Sequence, residues 1–378
     1  MNKLLSNEIW SYRNPVNIVA GIGVLNNLKD LIPKGKVLLI TTAGFTERGV
    51  TDQVKEKLLQ TTILVYDKVT PNPELTVLEE MTKEFKTMGI CSIIALGGGS
   101  VMDTAKVLSV TLPSDLEYPL DEVLIQQKSH IWKTSLPVIA VPTTSGSGAE
   151  VTPFATVWDT NTHKKYSVTG EHLYPIYALL DPLLTMSLSY QQTLFTALDA
   201  ISHSLESIWN KNRTSVSESF AVQALVLANE ALPKLLEYPN DKELRARMQQ
   251  ASVLAGLAIS QTRTAIAHSI SYPLTMHLNI PHGLASSFTL SEIIKSNWDT
   301  LSENIYSNVI KTTEKMLENL NLSNEITKYA TSDQILMYVN EMFTPERAGN
   351  YINAVSNGDI NSLLKRSISS DTSTKGVK

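Results

Sequence analysis

The feature that most restricts what this chain can fold into is a change of periodicity at Asp181-Pro182. Before it, short runs rich in β-branched residues alternate with helical stretches. Residues 15–20 alternate in polarity and read as an edge strand. Residues 36–41, 62–66, 92–96, 137–141 and 178–180 read as further strands, mostly buried. Helices are expected over about 51–59 and 74–87, and from 101 through 106. Residues 156–159 and 165–169 read as a hairpin, with Asp159-Thr160-Asn161-Thr162 as its turn. Strands alternating with helices at this spacing predict βαβ units and a parallel sheet. After Pro182 the strand signals stop. Long helical periods cover 191–209, 216–236 and 242–271, with more from Leu284 onward. The expected architecture is an α/β N-terminal domain built on a parallel sheet, residues 1–183. An all-α C-terminal domain, residues 184–378, follows it. A length of 378 residues suits two domains.

Two loops in the first half carry chemistry. Gly97-Gly98-Gly99-Ser100 follows a strand directly and opens a helix. Glycines there let backbone approach a pyrophosphate, and the helix start offers free N–H groups. The pattern is neither G-x-G-x-x-G nor a P-loop, and a tight turn that binds nothing would use the same residues. Pro142-Thr143-Thr144-Ser145-Gly146-Ser147-Gly148-Ala149-Glu150 likewise follows a strand, with small hydroxyl side chains suited to ribose and phosphate oxygens. Two such loops after two parallel strands favour a nucleotide over two plain turns.

The helical half carries the other constellation. Asp199 and His203 are four residues apart, so a helix sets them on one face. A surface Asp–His pair would look the same, but the surrounding run is apolar, and buried charge needs a partner. His268 and His282 supply two more imidazoles. One carboxylate and three imidazoles suit Fe²⁺, with Zn²⁺ acceptable, better than Ca²⁺ or Mg²⁺. Pro273 is expected to break the helix carrying His268, so His282 must return by a loop. His130, His163 and His172 read as surface residues and His277 as structural. Lys211 and Arg213 read as surface charges. Arg263 stands in an otherwise nearly uncharged stretch, and a buried arginine there would seek an anion.

Composition narrows the class. A net charge of −5 gives no reason to expect a nucleic-acid surface. No segment approaches the roughly 20 apolar residues of a membrane span, and residues 1–8 lack the apolar core of a signal peptide. One cysteine, Cys91, rules out an internal disulfide framework and reads as a buried core residue in a cytoplasmic protein. The tail, residues 367–378, is polar.

Together these motifs resemble the iron-dependent (group III) alcohol dehydrogenase family over roughly residues 10–365. The most specific pieces are Gly97 to Lys106, Pro142 to Glu150, Asp199-Ala-Ile-Ser-His203, and His268 with His282-Gly283. The resemblance implies a nucleotide domain and a helical domain with the active site in the cleft between them. It implies that Asp199, His203, His268 and His282 hold the metal. It places Gly97, Gly98, Gly99 and Ser100 on the pyrophosphate, with Thr143, Thr144, Ser147, Asp103 and Lys165 along the cofactor. Many relatives carry a histidine four residues after the third ligand, where this chain has Tyr272, which could pass a proton or shape the pocket. Many NAD-using relatives carry Asp after the first central strand, where this chain has Thr41-Thr42. Without that charge NADPH is favoured over NADH.

Residues 204–210 and 262–273 further resemble the branch that reduces phosphonoacetaldehyde to 2-hydroxyethylphosphonate in phosphonate biosynthesis. That implies Arg263, helped by Ser269 or Ser271, as phosphonate anchor. A generic iron-dependent alcohol or diol dehydrogenase and a dehydroquinate synthase-like lyase are the alternatives. The expected partner is a small aldehyde, with oligomeric state open, a homodimer included.

Overall fold

A computed structural model describes residues 9–128 and 132–369. The expectations for His130, for residues 1–8 and for 370–378 lie outside them. The chain forms two compact units, one from Asn14 to Ser187 and the other from Leu188 onward together with residues 9–13. The domain change expected after residue 183 thus falls four residues later, and a short N-terminal stretch joins the helical unit.

The first unit holds β1 (Asn17–Ala20), α1 (Leu28–Leu31), β2 (Lys36–Ile40), α2 (Ala43–Glu47), α3 (Val50–Lys57), β3 (Ile63–Tyr66) and α4 (Leu75–Phe85). Then come β4 (Ile90–Gly97), α5 (Gly99–Thr111), β5 (Val138–Pro142), β6 (Phe154–Asp159), β7 (Lys164–Thr169) and β8 (Tyr177–Leu180). Six strands make a sheet in the order β1-β8-β5-β4-β2-β3, every pair parallel. β1 is an edge strand, as its alternation requires. β6 and β7 form the expected hairpin.

The period of two sorts the central strands onto two cores. Leu38, Ile40, Ile93 and Ala95 pack with Met81 and Phe85 of α4 and with Met102, Ala105 and Leu108 of α5. Val37, Leu39, Ile94 and Leu96 pack with Leu28 of α1 and Val54 of α3 on the other face. Both faces are covered, as a parallel sheet demands. From β2 the chain crosses outward to β3, and from β4 it crosses the opposite way to β5. The connections therefore diverge at the carboxyl ends of β2 and β4, where an open α/β sheet forms its crevice. Cys91, expected in the core, is exposed near the start of β4. From Ser92 onward the strand is buried, because both faces of the sheet are covered there.

The helical unit begins with α6 (Tyr190–Ile208), α7 (Ser215–Glu237), α8 (Lys242–Thr262), α9 (Ile266–Leu278) and α10 (His282–Ala285). Capping boxes open α6 at Ser189/Gln192 and α7 at Thr214/Ser217. Two expectations fail here. The helix read over 242–271 is two helices, broken at residues 263–265. Pro273 does not end α9, which runs through it to Asn279 in the left-handed conformation. The proline costs one N–H bond to the preceding turn, but α9 is buried on most sides and packing holds it. His282 does return by a loop. Among the described residues no helix is long and apolar enough to cross a membrane.

Candidate metal centre and nucleotide loops

Three groups of one face of α6 make half of the centre: Asp199, His203 and Glu206, at i, i+4 and i+7. Asp199 and His203 are buried. His268, two residues into α9, and His282, the first residue of α10, face them from other elements. One oxygen is the hub. Asp199 Oδ1 lies 3.7 Å from His203 Nε2, 3.4 Å from His268 Nε2 and 3.6 Å from His282 Nε2. Ligand atoms of Asp199, His268 and His282 all lie within 4.8 Å of one another. The His203 and His268 rings stack at 4.7 Å, and His268 meets His282 edge-on at 5.2 Å.

This donor set fits a first-row divalent ion. Bonds of about 2.1 Å in a tetrahedron separate neighbouring ligands by about 3.4 Å, close to the spacings seen. They are long for hydrogen bonds, and buried His268 Nε2 has no hydrogen-bond partner among the described residues. Burial alone would raise the Asp199 carboxyl, but His203, His282 and His268 together hold it well below the carboxylate range. The carboxylate is thus kept as an anionic ligand beside the position a cation would take.

Glu206 is the residue that sequence reasoning missed. It is fully buried, and its two oxygens do different work. Oε2 accepts from His268 Nδ1 at 2.6 Å, which fixes the ring with Nε2 toward Asp199. Oε1 accepts from the N–H groups of Ala267 at 2.6 Å and His268 at 3.2 Å, satisfying the free start of α9. Burial would push this carboxyl up, but the facing His268 imidazole and backbone donors hold it down. The available signal was a lone acid seven residues after Asp199 in an apolar helix. Glu206→Gln keeps the size but turns one acceptor into a donor. We expect it to weaken divalent-metal affinity by roughly 10–100-fold in chelator competition. Unchanged affinity would show that the His268 contact is not what orients the ring.

The proposed substrate anchors fare unevenly. Arg263 is exposed, not buried, and caps the end of α8. It does not share one helix with His268, because the helix breaks at Arg263 itself. Its backbone sits at φ 61°, ψ −177°, a region almost reserved for glycine. It is pinned there by its N–H donating to Ile259 O at 2.8 Å and by Asn210 Nδ2 and Thr262 Oγ1 donating to its carbonyl. Ser269 and Ser271 are buried and engaged. Ser269 Oγ donates to Met342 O at 2.6 Å, and Ser271 Oγ to His268 O at 2.9 Å. Neither is placed to help Arg263. Tyr272 is half-buried one turn beyond His268, on the same face of α9.

The remaining polar residues divide as expected. His163 and His172 are exposed. His277 is structural, 2.8 Å from Glu341 and stacked on Tyr338. Lys211 is exposed, and Arg213 pairs with Glu218 at 3.2 Å.

In the first unit, adjacent strands β4 and β5 bring the two loops together. Thr143 N–H donates to Gly97 O at 3.0 Å. A Cβ on Gly98 would lie 3.2 Å from Thr144 Cγ2, and one on Gly99 3.3 Å from Ser147 Cβ, so side chains there would crowd the opposite loop. Ser100 Oγ accepts from Asn72 N–H at 3.3 Å. Asp103 accepts from Thr156 N–H at 3.0 Å; burial raises its carboxyl, while Lys106 and Lys165 draw it down. Lys165 lies 4.9 Å over the Trp158 ring. Thr41 differs from expectation. It is buried, and its hydroxyl donates to Leu96 O at 2.7 Å, tying β2 to β4. Thr42 alone of the pair is partly exposed.

Comparison with known proteins agrees with both halves. The profile of iron-containing alcohol dehydrogenase matches residues 15–182. That of the Fe-containing alcohol dehydrogenase family, C-terminal, matches 193–366. A sulfoacetaldehyde reductase of Bilophila wadsworthia is 34% identical over 72% of this chain and 70% of its own. A phosphonoacetaldehyde reductase of Streptomyces viridochromogenes is 32% identical over 69% and 67%. The crystal structure of a sulfoacetaldehyde reductase from Bifidobacterium kashiwanohense in complex with NAD⁺ superposes with a TM-score of 0.86 at 25% identity, covering 97% of this chain and all of that one. The chain is an aldehyde reductase or alcohol dehydrogenase, and it belongs to the iron-containing alcohol dehydrogenase family.

Proposed function

We propose that the chain reduces phosphonoacetaldehyde to 2-hydroxyethylphosphonate with NADPH and a divalent ion, Fe²⁺ for preference, held by Asp199, His203, His268 and His282. The observation that carries the chemistry is the convergence of three imidazole Nε2 atoms on one buried carboxylate oxygen. When bound, the ion supplies Lewis acidity at a carbonyl oxygen and the reduced nicotinamide supplies hydride. Glu206 holds His268 in the tautomer that offers Nε2. Tyr272, one turn along α9 from His268, would return a proton to the product oxygen. Gly97, Gly98, Gly99, Ser100, Thr143, Thr144 and Ser147, with Asp103 and Lys165 alongside, shape the nucleotide loops. NADPH is favoured because Thr42 stands where an acid would repel a 2′-phosphate.

Arg263 is the proposed anchor for the phosphonate. Its support is an exposed arginine whose backbone is pinned at the head of the segment leading to His268 and strained by about 1–3 kcal/mol. Arg263→Gly therefore makes a clean test, since it relieves the strain while removing the charge. Thermal stability should be kept. The kcat/KM for phosphonoacetaldehyde should fall about 100-fold, consistent with losing a charged hydrogen-bonded pair of about 2–3 kcal/mol, while propanal turnover stays level. Equal loss on both aldehydes would remove Arg263 from substrate binding. A second reading, sulfoacetaldehyde as substrate, is favoured by the sulfoacetaldehyde reductases among the relatives. Running both oxyacid aldehydes in the same assay decides between them.

A further inference from the structure

The nucleotide reading leaves two cations without a role. Arg48 closes α2, directly after the segment that leaves β2. Its guanidinium carbon lies 4.5 Å from the centroid of the Phe45 ring, which holds the side chain against the helix. It also folds back over Gly44, where a Cβ would come within 3.1 Å of Nη1. Gly44 is thus the gap through which Arg48 reaches toward the Thr42 end of α2.

Lys68 approaches from the other side. Thr42 and Lys68 are bridge partners, with Val69 N–H donating to Thr41 O at 3.3 Å. Directly paired residues project their side chains to the same face. Lys68 and Arg48 are both exposed, and neither has an ion-pair partner among the described residues. Two cations without an ion-pair partner among the described residues therefore stand in the segments that leave β2 and β3, Lys68 bridged to Thr42 and Arg48 at the end of α2, on the carboxyl edge of the sheet where the crevice opens. A dinucleotide with its pyrophosphate on the Gly97–Ser100 turn sets its adenosine ribose over the end of β2.

We propose that Arg48 and Lys68 are the specificity-determining residues for the 2′-phosphate of the phosphorylated dinucleotide. Arg48 offers forked donors to the phosphate oxygens and Lys68 a point charge. This rests on the NADPH reading above but adds attraction to what was only an absent repulsion. The nearby acids Glu47 and Asp67 flank the pair in sequence, and Asp67 is the group that could instead accept from unmodified ribose hydroxyls.

The test titrates the metal-loaded full chain with 2′-phospho-ADP-ribose and with ADP-ribose by calorimetry. Neither probe carries nicotinamide, so no hydride transfer intervenes. The wild type should bind the phosphorylated probe at least tenfold more tightly. R48Q and K68Q should each weaken that probe several-fold, and together about tenfold or more, while ADP-ribose binding stays within twofold. If the wild type shows the preference and both variants keep it, the assignment of Arg48 and Lys68 is overturned and the NADPH reading stands. If the wild type prefers ADP-ribose, the NADPH reading falls, and the assignment with it.

Discussion

Asp199→Ala should leave the purified chain without its divalent ion and lower kcat/KM for aldehyde reduction by about a thousandfold. The reason lies in the hub. One oxygen, Asp199 Oδ1, lies within 3.7 Å of all three imidazole Nε2 atoms, and among the described residues no second carboxylate joins the ligand cluster. Three neutral imidazoles left alone would bind a divalent ion more weakly, and with it would go several kcal/mol of charge stabilisation at the carbonyl oxygen, about 1.4 kcal/mol per tenfold in rate. Metal content by mass spectrometry and the midpoint of thermal unfolding read the effect separately. Added Fe²⁺ or Zn²⁺ should raise the wild-type midpoint by linkage and leave that of the variant unmoved. A variant that kept one ion per chain and full activity would remove Asp199 from the centre.

Gly283→Ala should be nearly as damaging, for a steric reason. A Cβ at position 283 would sit 1.8 Å from the Phe195 carbonyl oxygen. That atom is backbone of α6 and cannot rotate away. α10 would have to lift off α6, and His282, the residue before, would move with it. Overpacking of this kind costs about 3 kcal/mol or more. Unfolding by denaturant should show the loss, and chelator competition should show weaker metal binding in the fraction that remains folded. ADP-ribose titration should be unaffected, because the nucleotide loops belong to the other unit. If stability and metal affinity both match the wild type, the close approach of α10 to α6 is not needed for the centre.

Much of this was legible in the sequence, and the residues show why. Strands announced themselves because β2, β4 and β5 are buried on both faces and carry nearly nothing but apolar side chains. Asp199 and His203 were legible because one helix fixes their relation. The failures share another cause. Whether α8 runs on past Thr262 depends on who satisfies the next helix start. The answer, Glu206, lies 61 residues before the Ala267 N–H it accepts. Pro273 inside α9 is tolerated through packing, which local propensity does not report. Thr41 and Thr42 look alike in sequence, yet one is committed to Leu96 and the other faces outward. Arg263 looked buried because its neighbours are uncharged, while the turn it occupies carries it to the surface.

Asp199, His203 and Glu206 share one unbroken stretch of α6, and this has a consequence for how such a centre can change. Each helical residue adds about 100° of rotation and 1.5 Å of rise. One residue inserted between Asp199 and His203 would swing the hub oxygen away from the His203 ring while leaving every ligand residue in the chain. Point substitution can exchange a donor, and with it the preferred ion. The spacing behaves as a fixed length, so variation in this centre can proceed by replacing letters and not by adding or removing them.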